Sequence, residues 1–134
     1  MSRRDKLLKM IEKLVSIPSV TESPDESAPG IWIRERLGKL PYFIEKKEHL
    51  IWAETQLEGS AQKLHSLVTR VDAAVPTART VLLIGHYDVV GVNVYGGMAK
   101  DAFDVKKMTE HFNVDNEDVI YGRGTMDMKC GIAL

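Results

Sequence analysis

The sequence predicts an α/β fold, on three observations. Residues 80–86 form a continuous apolar run, Thr80-Val81-Leu82-Leu83-Ile84-Gly85-His86, as a strand buried on both faces of a sheet requires. Leu7, Leu8, Ile11, Leu14 and Val15 recur at helical spacing with charged residues between them, which makes an amphipathic helix. Further helix-like and strand-like segments follow, jointed by glycine and proline.

The opening helix takes Ser2 as its cap and is stopped by Pro18. Residues 19–27 are polar, contain Pro24 and read as a loop. A second helix starts near Asp25 to Ser27, carries Ile33, Leu37 and Leu40 as one stripe, and is closed by Pro41. Short strands are expected at residues 42–45 and 49–55. A better one is expected at residues 63–71, bounded by Gly59-Ser60 and by Pro76. The run at residues 80–86 is the clearest strand. Residues 91–100 hold three glycines and must be a loop. Asp104 caps a short helix with Val105, Met108 and Phe112 on one side. Residues 118–121 read as a short strand and Gly122-Arg123-Gly124 as a turn. Met126 to Leu134 begins a last helix, and the sequence ends inside it. A natural domain rarely stops on an uncapped Gly131-Ile132-Ala133-Leu134, so truncation is expected.

At 134 residues the chain has the size of one domain. Its 44% hydrophobic and 28% charged residues are the balance of a soluble globular protein. A formal net charge of −1 gives no global attraction to nucleic acid or to an anionic membrane. No apolar run approaches the ~20 residues that span a bilayer. Cys130 is the single cysteine and cannot form an internal disulfide. That, with a start that lacks a signal-peptide core, fits the cytoplasm.

Two short motifs could carry chemistry. Gly85-His86-Tyr87-Asp88 lies where the buried strand leaves its sheet, the edge at which open α/β sheets place their sites. Side chains at i and i+2 of a strand share a face, so His86 and Asp88 point the same way. A carboxylate beside an imidazole fixes its tautomer and raises its basicity, as a zinc-ligating histidine needs. A turn histidine paired with a turn aspartate is the plainer alternative.

Tyr121-Gly122-Arg123-Gly124-Thr125-Met126-Asp127-Met128-Lys129 is the second motif. Its two glycines allow a sharp turn between strand and helix, which leaves Asp127 in the first helical turn, where the dipole favours a carboxylate. Both of its oxygens can then bridge two cations about 3.5–4 Å apart. A simple helix-start aspartate and a phosphate-cradling loop are the alternatives, although neither glycine-rich phosphate fingerprint is matched.

Taken together, Gly85-His86-Tyr87-Asp88-Val89-Val90 and Gly122-Arg123-Gly124-Thr125-Met126-Asp127-Met128-Lys129 resemble the two N-terminal signatures of the co-catalytic zinc peptidase and deacylase family. Acetylornithine deacetylase, succinyl-diaminopimelate desuccinylase, aminoacylase and the glutamate carboxypeptidases are among its members. Leu14-Val15-Ser16-Ile17-Pro18-Ser19-Val20 looks like the family's usual opening. The resemblance implies the N-terminal part of a three-layer α/β/α catalytic domain with a mixed sheet. Residues 1–134 would be a portion of it, with the remainder and a lid-like dimerisation domain lying outside. It implies two zinc ions per complete enzyme, with cobalt or manganese able to substitute. His86 would bind one metal and Asp127 would bridge both, while Asp88, catalytic without being a ligand, would steady His86. It also implies a cis peptide between Asp127 and Met128. The reaction implied is hydrolysis of amide or peptide bonds in small acylated amino acids or peptides, by an enzyme that could be a homodimer. The family's glutamate pair and final histidine follow farther on, so this chain alone should be inactive.

A branch is suggested as well. His86 and Asp127 are 41 positions apart, more than in the family's shortest forms. Pro41-Tyr42-Phe43, Tyr95-Gly96 and Lys100-Asp101-Ala102-Phe103-Asp104 resemble the bacterial arginine-utilisation branch. Two positions depart from the family pattern, Gly91 where many members have proline and Cys130 where many have glycine. Cys130 reads as a small packed residue or a stray soft ligand. Arg123 and Lys129 read as signature residues or as solvated turn charges. His49, His65 and His111 read as structural or surface residues, and Trp32 and Trp52 as core or edge residues. The rival class is a non-catalytic interaction module that keeps the first half of the fold.

Overall fold

The computed structural model describes residues 1–56, 58–59, 61, 63–112 and 119–134. They fall into two compact units, one made of residues 1–29 and 85–134 and the other of residues 30–84.

The first unit opens with α1 (Arg3–Val15). Ser2 caps it as expected, within a box that also uses Asp5: the Asp5 amide donates to Ser2 Oγ at 3.1 Å, and the Ser2 amide donates to Asp5 Oδ2 at 2.8 Å. Such a box satisfies two amides that a helix start leaves open. The inward stripe is Ile11, Leu14 and Val15, all buried, each worth about 1.5–3 kcal/mol over an exposed position. It packs on α5 (Cys130–Ala133) and on the turn that precedes α5. Residues 19–27 form the expected loop, and Val20 makes a single parallel bridge with Val89. Asp104 caps α4 (Val105–Phe112), its Oδ1 accepting from the Lys106 and Lys107 amides. Met108 of α4 is buried, whereas Phe112 is largely exposed and stacks on Tyr121.

In the second unit β1 (Leu50–Gln56) and β2 (Lys63–Thr69) pair antiparallel, from Leu50 opposite Thr69 to Gln56 opposite Lys63. Ser60, one of the residues expected to bound β2, lies outside the described residues. Here α2 (Ala28–Leu37), which begins at the end of residues 1–29, ends at Leu37, three residues short of the expected Leu40. Pro41 does not close it but occupies the first turn of α3 (Pro41–Glu45).

Five expectations are corrected. Residues 42–45 are helical, because Pro41 presets the first helical φ and one turn is enough to bury Phe43. Residues 93–101 form 3-10 turns, broken only at Gly96 with φ 54°. The clearest expected strand, residues 80–86, has no ladder partner among the described residues. Val81, Leu82, Leu83 and Ile84 are 77–89% exposed, since an apolar run becomes a buried strand only when distant segments flank it. The one sheet among the described residues is the β1–β2 pair. The last helix starts at Cys130, not Met126, because Asp127 (φ −125°, ψ 98°) and Met128 (φ −136°, ψ 35°) are not helical. Asp127 therefore lies ahead of the helix and not in its first turn. Of the expected strand at residues 118–121, Asp118 lies outside the described residues, and residues 119–121 form no ladder.

Candidate functional site

Two backbone exits bring the motifs together within the first unit. Residues 87–89 are held by the segment after Pro18: the Val89 amide donates to Ser19 O at 2.8 Å, and the Thr21 amide donates to Val89 O at 2.9 Å. Fully buried Ser19 donates its hydroxyl to Tyr87 O at 2.6 Å. The other exit is the turn Gly122-Arg123-Gly124. Gly124 has φ 84°, and a Cβ there would lie 2.7 Å from Val89 Cγ1, so glycine lets the two exits approach.

His86 Nε2 lies 2.9 Å from Asp127 Oδ1. On the other side of the ring, Nδ1 lies 3.1 Å from Asp88 O and 3.3 Å from Asp88 Oδ1. The imidazole is thus held between two aspartates. The Asp127 carboxylate, and after it Asp88, raises its pKa above the ordinary histidine value against the opposing effect of partial burial. The Asp127–Met128 peptide is cis, the geometry that the resemblance implied. A cavity of about 230 Å³ opens beside these groups, bordered also by Tyr95, Arg123 and Thr125. A larger one, about 400 Å³, lies by Lys9, Lys13, Phe103 and Lys106 and shares no residue with it.

An imidazole nitrogen and a carboxylate oxygen suit zinc in kind. In number they fall short of the three protein ligands usual for a catalytic zinc. Among the described residues no group of three or more His, Cys, Asp or Glu converges to hold a metal. The residues present therefore fit part of a zinc shell: His86 and Asp127 would hold the ion, with Asp88 behind the ring.

Neither signature cation is simply a solvated turn charge. Lys129 is fully buried, and its Nζ donates to Ile17 O at 2.8 Å; burial pushes its pKa down to about 8. Arg123 is half-buried, donates to Gly91 O at 2.7 Å and lies over the Tyr95 ring. Cys130 is half-buried, and burial raises its thiol pKa, as suits a packed residue. His49 is buried with Tyr42 Oη at 2.9 Å from Nδ1, His65 stacks on half-buried Trp52, and His111 pairs with Asp101 at 2.8 Å. Trp32 is half-buried with Arg36 over its ring.

Sequence reasoning missed Thr21. Its hydroxyl lies 3.0 Å from Asp88 Oδ2 and 3.2 Å from Val89 O. A lone threonine in a polar loop has no motif to reveal it; the available signal was Ser19-Val20-Thr21 directly after the helix-ending proline.

Comparison with known proteins finds relatives at 27–28% identity. Protein RocB of Bacillus subtilis is 28% identical over 145 residues, covering all of this chain and 25% of the relative. The Cys-Gly metallodipeptidase dug1 of Schizosaccharomyces pombe is 27% identical over 131 residues, covering 95% of this chain and 25% of the relative. A succinyl-diaminopimelate desuccinylase of Methylorubrum extorquens is 28% identical over 126 residues, covering 94% and 28%. No family model matches, and no solved structure matches. The chain is thus related, over nearly its whole length, to the metallopeptidase and deacylase family that the paired motifs resemble. It spans about a quarter of the length of these relatives.

Proposed function

We propose that this chain is the N-terminal part of the catalytic domain of a zinc-dependent hydrolase acting on amide or peptide bonds of small acylated amino acids or peptides. The observation that carries the reading is His86 held between Asp127, 2.9 Å from Nε2, and Asp88, 3.3 Å from Nδ1. It is supported by relatives that include a metallodipeptidase and a desuccinylase. When bound, paired zinc ions would acidify a water and polarise the scissile carbonyl.

This chain's own residues prepare the place. In this reading the Nδ1 proton of His86 faces Asp88, whose main-chain O lies at 3.1 Å and Oδ1 at 3.3 Å, which fixes the ring's direction and turns Nε2 towards Asp127 and the metal position. Asp127 presents its carboxylate to the same point. The Arg123 hydrogen bond to Gly91 O ties the glycine turn to the backbone that leaves the His86 motif. The remaining ligands and the proton acceptor lie, in this reading, beyond residue 134. So do the rest of the three-layer domain and the lid through which a homodimer would form. The same reading holds the enzyme to be cytoplasmic, with cobalt or manganese as substitute metals. It assigns the enzyme to the arginine-utilisation branch through residues 95–104. Among the described residues no helix is long and apolar enough to cross a membrane.

Isothermal titration of zinc into the 134-residue chain, beside His86→Ala, tests this. The expected result is weak binding that His86→Ala removes, with no amide hydrolysis by either. Tight uptake of two zinc ions, or hydrolysis that His86→Ala abolishes, would overturn the divided-site reading. Equal binding by both chains would overturn the metal reading itself.

A further inference from the structure

We propose that Thr21 is a positioning residue of the His86–Asp127 site, acting through Asp88; this rests on the metal reading above. The geometry forms a chain of contacts. Thr21 Oγ1 is 3.0 Å from Asp88 Oδ2, His86 Nδ1 is 3.1 Å from Asp88 O and 3.3 Å from Asp88 Oδ1, and His86 Nε2 is 2.9 Å from Asp127 Oδ1. Each Asp88 oxygen thus has its own task, one facing the imidazole and the other facing the threonine.

Two further facts set the direction of the threonine proton. The hydroxyl has one hydrogen and two acceptors in reach, the Asp88 carboxylate and Val89 O, 3.2 Å away. The carboxylate is both nearer and charged, and hydrogen bonds to charged acceptors are the stronger kind. The backbone allows no slip, because the Thr21 amide donates to Val89 O and the Val89 amide to Ser19 O. Thr21 therefore meets Asp88 in one register.

The consequence is for Asp88 rather than for the fold. A carboxylate held at neither oxygen can turn about its last torsion; with Oδ2 on the Thr21 hydroxyl, Oδ1 stays within 3.3 Å of the imidazole. Thr21 fixes the plane in which the Asp88 carboxylate faces the ring and so, beside the main-chain O of Asp88, helps to set the direction of Nε2. Removing a partner behind a metal-ligating histidine typically weakens metal binding about 10–100-fold. Thr21 stands one bond farther out and contributes a net hydrogen bond of ordinary strength, which sets an expected effect of about fivefold.

The test is zinc titration of the 134-residue chain and four variants, with thermal unfolding of each in the absence of zinc. Thr21→Val keeps the shape and removes the donor. It should raise the zinc dissociation constant about fivefold while the zinc-free chain still unfolds cooperatively. Thr21→Ser, which restores the hydroxyl, should recover wild-type affinity. Asp88→Asn should weaken binding more than Thr21→Val, and His86→Ala should abolish it. If Thr21→Val binds zinc as the wild type does while Asp88→Asn is weakened, Thr21 has no positioning role and the metal reading stands. If Thr21→Ser is as weak as Thr21→Val, the threonine acts by packing and the proposal is overturned. If His86→Ala binds as the wild type does, the metal reading fails and takes this proposal with it.

Discussion

Gly124 shows how narrow the tolerances at this site are. Its φ of 84° is a conformation that side chains disfavour, and an added Cβ would lie 2.7 Å from Val89 Cγ1 and 3.1 Å from Lys129 Cδ. Strain of this kind is worth of order 1–3 kcal/mol. Gly124→Ala is therefore expected to destabilise the chain by about that amount, seen as a lower urea midpoint. An unchanged midpoint would mean that the turn relaxes freely. This glycine was legible in the sequence, because Gly-Arg-Gly before a new element announces a sharp turn. The identity of its neighbour, Val89, was not, since contact between residues 35 positions apart leaves no local mark. The same holds for Lys129. Its place in the signature was legible, but its burial against Ile17 O depends on α1.

At the scale of elements, those defined by their own ends were read well. Ser2 and Asp104 cap α1 and α4 because a short polar side chain reaches amides two or three residues ahead, which is local chemistry. Residues 42–45 were misread because a five-residue element is too short to show a period. One contact between elements has a pH signature. Asp101, buried at the end of the 3-10 turns, accepts from His111 of α4 at 2.8 Å. That bond first, then Lys100 and Lys107, lowers the Asp101 pKa below the ordinary carboxylate value. A depressed carboxylate stabilises the fold at pH values above its unfolded pKa, about 3.9. That stability is lost as pH falls through this value towards the folded one. Asp101→Asn should accordingly be less stable than wild type near neutrality, with the gap closing as pH falls below about 5. Thermal midpoints measured from pH 7 down to pH 3 would show it; a constant gap would assign the loss to packing instead.

For the molecule as a whole, the run Val81-Leu82-Leu83-Ile84 dominates the exposed apolar surface of residues 80–90. Four consecutive apolar residues without charge or proline are the kind of segment that pairs with other chains. The chain is expected to associate as its concentration rises, and Leu83→Lys is expected to reduce this without lowering the thermal midpoint, because Leu83 is 89% exposed. Sedimentation velocity over a concentration series would decide it, and equal association by both chains would absolve this segment. The apolar character of the run was plain in the sequence. Whether it is paired depends on strands elsewhere in the protein, which no local pattern reveals.

The Val20–Val89 bridge also has a kinetic meaning. It joins residues 69 positions apart, and the Thr21–Asp88 contact spans 67, whereas only six residues separate β1 from β2 in the sequence. Long closures slow the approach to the native state, since their entropy is lost before their contacts form. The hairpin should gain protected amides early during refolding, and the amides of Thr21 and Val89 late. The imidazole and its two carboxylates would then come into register only near the end, so a partly folded chain would carry every residue of the motif pair and still have no site.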